Sequence, residues 1–323
     1  MKKFVLSCLL AVSAIMSAVA EDYLTILDQA EKWINKTYTP GSLAHRRAIA
    51  NLTEIDAQKS SEADKIAKIK NAFPKAFNTT VDISQLKKQA EAGDVDAQCR
   101  LAKCYEEGKG VEKNLTEAVK WYRKAADQGL ASAQNNLGWC YKNGYGVEKN
   151  LTEAAKWYRK AAEQGYAKAQ HNLGWCYYYG DGVEKNLTEA VKWYREAAKR
   201  GLAEAQLTLG WCYAKGYGVE QNLPEAANWY RKAADQGDAT AQFNLGVCYH
   251  TGDGVEKNFT EAVNWYRKAA DQGDAAAQNN LGLLYYYGCG VEQNLTEAVK
   301  WFRKAAEQGN PNAKKALKEL NLQ

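Results

Sequence analysis

From residue 94 onward the chain repeats one 36-residue pattern six times without a slip in register. Asn114 returns as Asn150, Asn186, Asn222, Asn258 and Asn294, and Trp121 as Trp157, Trp193, Trp229, Trp265 and Trp301. Paired glycines keep the same interval, from Gly108/Gly110 to Gly288/Gly290. A strict period of this length marks stacked supersecondary units, each too small to bury its apolar face alone. The units run over 94–129, 130–165, 166–201, 202–237, 238–273 and 274–309, followed by a half unit at 310–323. Although 323 residues would allow two or three ordinary domains, the repetition replaces that reading with one array.

Each unit reads as two helices. In the second unit Ala133, Leu137 and Tyr141 share a stripe over 131–143, and Gly144-Tyr145-Gly146 ends that helix, because glycine reaches the left-handed conformation of a helix C-terminus. Asn150 caps the next helix and Glu153 is placed to reach back in a capping box. Ala154, Trp157, Tyr158 and Ala161 follow at helical spacing until Gly165. Gly138 is informative: a mid-helix glycine costs about 1 kcal/mol relative to Ala. Its return at Gly174, Gly210, Gly246 and Gly282 predicts a partner helix passing too close for a methyl group.

The pattern A-x-A-Q-x-N-L-G-x-x-Y-x-x-G-x-G-V-E-K-N-x-x-E-A-x-x-W-Y-R-K-A-A-x-Q-G resembles the Sel-one-like repeat, a relative of the tetratricopeptide repeat. The resemblance implies an all-α fold, a right-handed α-solenoid of antiparallel helix pairs whose concave face binds other proteins, and no reaction. Residues 21–93 read as a helical segment, with helices over 21–37, 42–59 and 60–73 and a degenerate half repeat at 83–93, where Ser84 is placed to cap its helix. Lys-rich 310–323 reads as the polar capping helix that a solenoid end requires.

The first twenty residues carry a cationic start, an apolar stretch over 4–16 and Ala18-Val19-Ala20 before Glu21, which reads as a secretory signal peptide. The apolar stretch is short of the roughly 20 residues that span a bilayer. The chain is therefore expected to be exported, periplasmic or secreted, without stable membrane insertion. Its charge of +5 falls to +3 once Lys2 and Lys3 leave (41 basic against 38 acidic groups). A charge so small and evenly mixed gives no argument for nucleic acid or an anionic membrane as partner.

Packing explains the fixed positions, so the positions that vary between copies carry the functional information. They fall on one face of the first helix, at offsets that the resemblance assigns to the concave groove. These offsets contribute Trp139, Trp175 and Trp211; His171 and Phe243; Lys142, Tyr178, His250 and Tyr286; and Tyr179, Lys215 and Tyr287. At about 10 Å between packed helices, the three tryptophans would form a ladder of roughly 20 Å, an anchor for a peptide or a glycan. Packing against the neighbouring unit is the competing role for each of them.

Other chemistry is sparse, and no cofactor is expected. Cys104, Cys140, Cys176, Cys212 and Cys248 recur at the repeat period, too far apart for disulfides and suited to a small buried hydrophobe. Secreted cysteine-rich relatives staple the two helices of a unit with a second Cys; this chain holds Ala126 and its equivalents there. Cys289, between Gly288 and Gly290, is the expected exposed thiol. His45, His171 and His250 are isolated, without zinc-ligand spacing. Ser84-Gln85-Leu86-Lys87 matches the S-x-x-K of penicillin-recognising enzymes, but no S-D-N or K-T-G accompanies it. The N-x-T sequons at Asn114, Asn150, Asn186, Asn258 and Asn294 are explained by capping. The leading reading is a non-enzymatic scaffold for a protein or peptide partner. Cell-wall or β-lactam hydrolysis, as in secreted cysteine-rich relatives, and glycan binding are the alternatives.

Overall fold

The computed structural model describes residues 83–321. The expected signal peptide, the three helices between residues 21 and 73, and His45 lie outside them. Among the described residues there are fourteen helices and no strand. The half unit is α1 (Ile83–Glu91). Six helix pairs follow: α2 (Val95–Glu107) with α3 (Leu115–Asp127), α4 (Ala131–Asn143) with α5 (Leu151–Glu163), α6 (Ala167–Tyr179) with α7 (Leu187–Lys199), α8 (Ala203–Lys215) with α9 (Leu223–Asp235), α10 (Ala239–Thr251) with α11 (Phe259–Asp271), and α12 (Ala275–Tyr287) with α13 (Leu295–Glu307). The cap is α14 (Pro311–Glu319). Every helix packs on the next in chain order, which is the neighbour-only arrangement of an all-α solenoid.

Helix starts and stops follow the local chemistry. Each repeated Asn is extended and its Oδ1 accepts from the amide three residues on, at 3.0 Å in α5, where Glu153 N–H donates to Asn150. The return arm of the capping box does not form there. The Glu153 carboxylate instead takes Lys156 Nζ at 2.7 Å, one helical turn along. Ser84 lies inside α1, with its side chain exposed, rather than at its N-cap. First helices end on left-handed glycines such as Gly144, whose N–H donates to Cys140 O.

The mid-helix glycines open a slot for an aromatic ring. A Cβ on Gly174 would lie 2.5 Å from the Tyr194 ring, and one on Gly282 would lie 2.7 Å from Phe302. Tyr158, Tyr194, Tyr266 and Phe302 are thereby almost fully buried, together with Leu137, Leu173, Leu209 and Leu245. Burying each such side chain contributes about 1.5–3 kcal/mol. The recurrent Trp belongs to this packing: Trp121, Trp157, Trp265 and Trp301 are buried, and Trp193 and Trp229 half-buried. A Lys three residues on lies over the ring in five units, from 3.7 Å at Lys268/Trp265 to 4.3 Å at Lys304/Trp301. In the third unit that position is Glu196.

Buried glutamines join unit to unit. Gln134 Nε2 donates to Ala126 O at 3.0 Å, and its Oε1 accepts from Gln164 Nε2 at 2.7 Å. Gln98, Gln206, Gln242 and Gln278 receive the same donor from Gln128, Gln236, Gln272 and Gln308. The series breaks once. Residue 200 is Arg, and its Nε donates to Gly165 O at 2.8 Å, which leaves the Oε1 of buried Gln170 without a partner. A second ladder runs from Arg to Tyr of the next unit, as in Arg159 to Tyr177 Oη at 2.7 Å and Arg195 to Tyr213 Oη at 3.0 Å.

The C-terminal end closes as the sequence predicts: Ala313 and Leu317 of α14 are buried on the last unit, and Lys314, Lys315 and Lys318 are exposed. The five periodic cysteines are buried and, like Cys99 and Cys289, free. Burial pushes the thiols of Cys140 and Cys212 up to about 12, so they are inert hydrophobes at neutral pH.

Candidate functional site

With fixed positions committed to packing, the first-helix face between α4 and α8 carries the largest aromatic cluster outside the core. Trp139 is 40% exposed and pairs with Tyr145, ring centroids 4.8 Å apart. Trp175 stacks on Tyr179 at 4.9 Å and 17°, and meets Tyr178 edge-on at 6.4 Å. Tyr178 reaches across to the next unit, 5.8 Å from Trp211 and 6.4 Å from Tyr217. Trp211 and Tyr217 form a tilted pair at 4.8 Å. Tyr179 is 54% exposed, and Trp175, Tyr178 and Trp211 are half-buried. Of the expected tryptophan ladder, Trp175 and Trp211 are joined through Tyr178, which bridges two units, while Trp139 pairs with Tyr145 alone; these tryptophans pack and face solvent at once.

Tyr145 and Tyr217 are functional candidates that the helix-face argument missed. Both sit between the paired glycines of their loops, a position that also varies between copies (Lys109, Tyr145, Asp181, Tyr217, Asp253, Cys289). Among these six, only Cys289 stands out to a search for chemistry. That residue is half-buried and leans on the hydrophobic core rather than standing exposed, because its loop folds back over α11 and α12.

Several predicted groove residues turn inward. His171 is half-buried against Tyr194, centroids 5.4 Å apart, and its Nε2 lies 3.1 Å from Trp175 Nε1 and 3.2 Å from Thr208 Oγ1. Phe243 packs on Tyr266 at 5.8 Å and on the neighbouring core. His250 sits between Phe259, at 5.4 Å, and Tyr266. The first-helix position shared by His171 and Phe243 is a seam between units: Asn135 is buried there and accepts from Asn172 Nδ2 at 2.9 Å. Asn279 occupies the same slot in the last unit, where the residue corresponding to Asn172 is Ala316, and Asn279 Oδ1 has no partner. Tyr286 is half-buried on the C-terminal core, and Tyr287, 67% exposed, meets it edge-on at 4.8 Å.

Charge is thin over this face. Lys142 is half-buried and Lys215 exposed, whereas α12 carries no charged side chain. Burial, with a smaller contribution from the Lys142 cation, lowers the His171 imidazole to about 4, so it is neutral at pH 7. Burial likewise lowers His250. Among the described residues no group of His, Cys, Asp or Glu could hold a metal ion, and no helix is long and apolar enough to cross a membrane. Ser84 and Lys87 lie exposed on α1.

A family model described as the Sel1 repeat matches the chain six times, over residues 95–130, 131–166, 167–202, 203–238, 239–274 and 275–310. Those windows reproduce the repeat register one residue along. No curated protein matches the chain. Among solved structures, a protective antigen present in uropathogenic Escherichia coli strains and displaying an SLR fold is 42% identical, with a TM-score of 0.70 over 72% of this chain and 50% of that one. The chain thus matches half the length of that antigen. A Sel1 repeat protein from Oxalobacter formigenes is 37% identical, with a TM-score of 0.60 over 70% of this chain and 95% of that one. Helix pairs, register and six consecutive matches agree, and the chain belongs to the Sel1 repeat family.

Proposed function

We propose that this protein is an exported, non-catalytic scaffold that binds a protein or peptide partner along the groove lined by its first helices, with Trp139, Trp175, Tyr179, Trp211 and Tyr217 as anchors. One observation carries the reading: aromatic side chains that differ between copies converge into a partly exposed cluster, while the invariant ones are packed. Exposed aromatic rings with little charge around them are the material of binding hot spots. Export is supported by the signal-like first twenty residues and by the likeness to a protective antigen. Cell-wall or β-lactam hydrolysis draws no support from Ser84, which stands on an open helix face.

A photocrosslinking amino acid at position 179, on the aromatic face, is compared with one at position 156, exposed on α5, in cells that produce the protein. Adducts with a defined protein or peptide at 179 and not at 156 are the expected result. Equal labelling at both positions, or adducts with glycan alone at 179, would contradict it.

A further inference from the structure

The indole N–H of Trp175 makes one polar contact, to His171. An indole N–H can only donate. The 3.1 Å contact from Trp175 Nε1 to His171 Nε2 therefore requires an unprotonated Nε2, with the ring proton on Nδ1. Thr208 Oγ1 also lies within reach of the same nitrogen, at 3.2 Å. That hydroxyl donates its own proton to Glu204 O at 2.7 Å, which leaves it a lone pair with which to accept.

We propose that His171 is the positioning residue of the aromatic surface and its acid-sensitive latch: neutral, it accepts from Trp175; protonated, it donates to Thr208 and releases the indole. This rests on the reading of that surface as a binding site. The balance is one proton, taken from hydronium onto Nε2, where an N–H bond forms as an O–H bond of the donor breaks; no other covalent bond changes. Protonation sets N–H against N–H at Trp175 and places a second cation near Lys142 of α4. Tyr194 of α7 faces the ring with its own ionisation suppressed by burial, and α8 presents the neutral Thr208. Released Trp175 would disturb its stack on Tyr179 and its edge contact to Tyr178, and through Tyr178 the approach to Trp211. The low basicity of the buried imidazole places the change well below neutral pH, near the lowered value of about 4.

The test follows indole and imidazole nitrogens by NMR on the full chain, with Trp175 assigned by Trp175→Phe. At pH 7 the His171 ring is expected as the Nδ1–H tautomer. On acidification the Trp175 indole signal is expected to shift with a midpoint near the lowered value of about 4, while helicity by circular dichroism persists. His171→Asn, which installs the side chain already present at 135 and 279, should abolish that titration of Trp175. An Nε2–H tautomer at pH 7, a Trp175 signal that does not titrate, or one that titrates unchanged in His171→Asn would each overturn the proposal. The tautomer is read at neutral pH, so acid unfolding cannot obscure it. None of these signals needs a partner, so a surface that failed to bind would leave them intact and be detected by crosslinking alone.

Discussion

Gly182→Ala is expected to destabilise the array by about 3–5 kcal/mol, whereas Gly201→Ala costs only about 1–2 kcal/mol. Both glycines are left-handed, at φ +73° and +87°, so both substitutions carry the penalty of placing a Cβ in that conformation. They differ in what the Cβ meets. At Gly182 it would lie 2.1 Å from Leu151 O, whereas at Gly201 nothing lies within 4 Å. The Gly182 loop of the third unit rests on the first turn of α5 in the second, and Gly146, Gly218 and Gly254 make the same approach to Leu115, Leu187 and Leu223. In a solenoid whose stability is a sum of units and nearest-neighbour interfaces, opening one interface uncouples what lies on either side. Urea unfolding should therefore show a lower midpoint for Gly182→Ala and a broadened or split transition. Equal costs at the two glycines would show that the loop contact between units is not a stabilising one.

Stability should also depend on pH through His171. The folded imidazole is lowered to about 4, against 6.5 in the unfolded chain. Above 6.5 both states are neutral and the full stability is present. As pH falls through this window the unfolded chain binds a proton that the folded one refuses, so stability declines until the folded state also protonates near 4. The loss is roughly 2–3 kcal/mol, from about 1.4 kcal/mol for each pH unit between the unfolded and folded values, reduced because the ring is partly exposed. His171→Leu, the residue found at the equivalent position 207, should flatten that part of the profile relative to the wild-type chain. An identical pH slope in the variant would show that His171 is not the source.

The period, the helix pairs, the Asn caps and the close approach at each mid-helix glycine were all legible in the sequence, because six internal copies expose which positions packing fixes. Gly174 is an example: its recurrence signals close approach before any neighbour is known, and the neighbour proves to be Tyr194. The candidate site was only partly legible. Position alone assigns His171, Phe243 and His250 to an open face, but His171 and Phe243 also meet the adjacent unit, which supplies Thr208 to His171 and contributes to the packing around Phe243, and His250 meets Phe259 and Tyr266 of its own second helix. Tyr145 and Tyr217 escaped because a residue between two glycines has no helical face to place it on, and the loop geometry sets them against Trp139 and Trp211. The break at Arg200 was visible as a single departure from Gln, but its consequence for Gln170, thirty residues away, required the unit-to-unit register.

If the scaffold binds as proposed, the aromatic residues that differ between copies, rather than the invariant ones, recruit the partner. The most direct test is the yield of the adduct formed at position 179 in the wild-type chain and in the double variant Trp175→Ala/Trp211→Ala. Truncating a central aromatic anchor typically costs about 2 kcal/mol or more in binding, so the yield at limiting partner should fall by roughly tenfold or more with helicity unchanged. An undiminished adduct from a folded double variant would show that these rings do not recruit the partner.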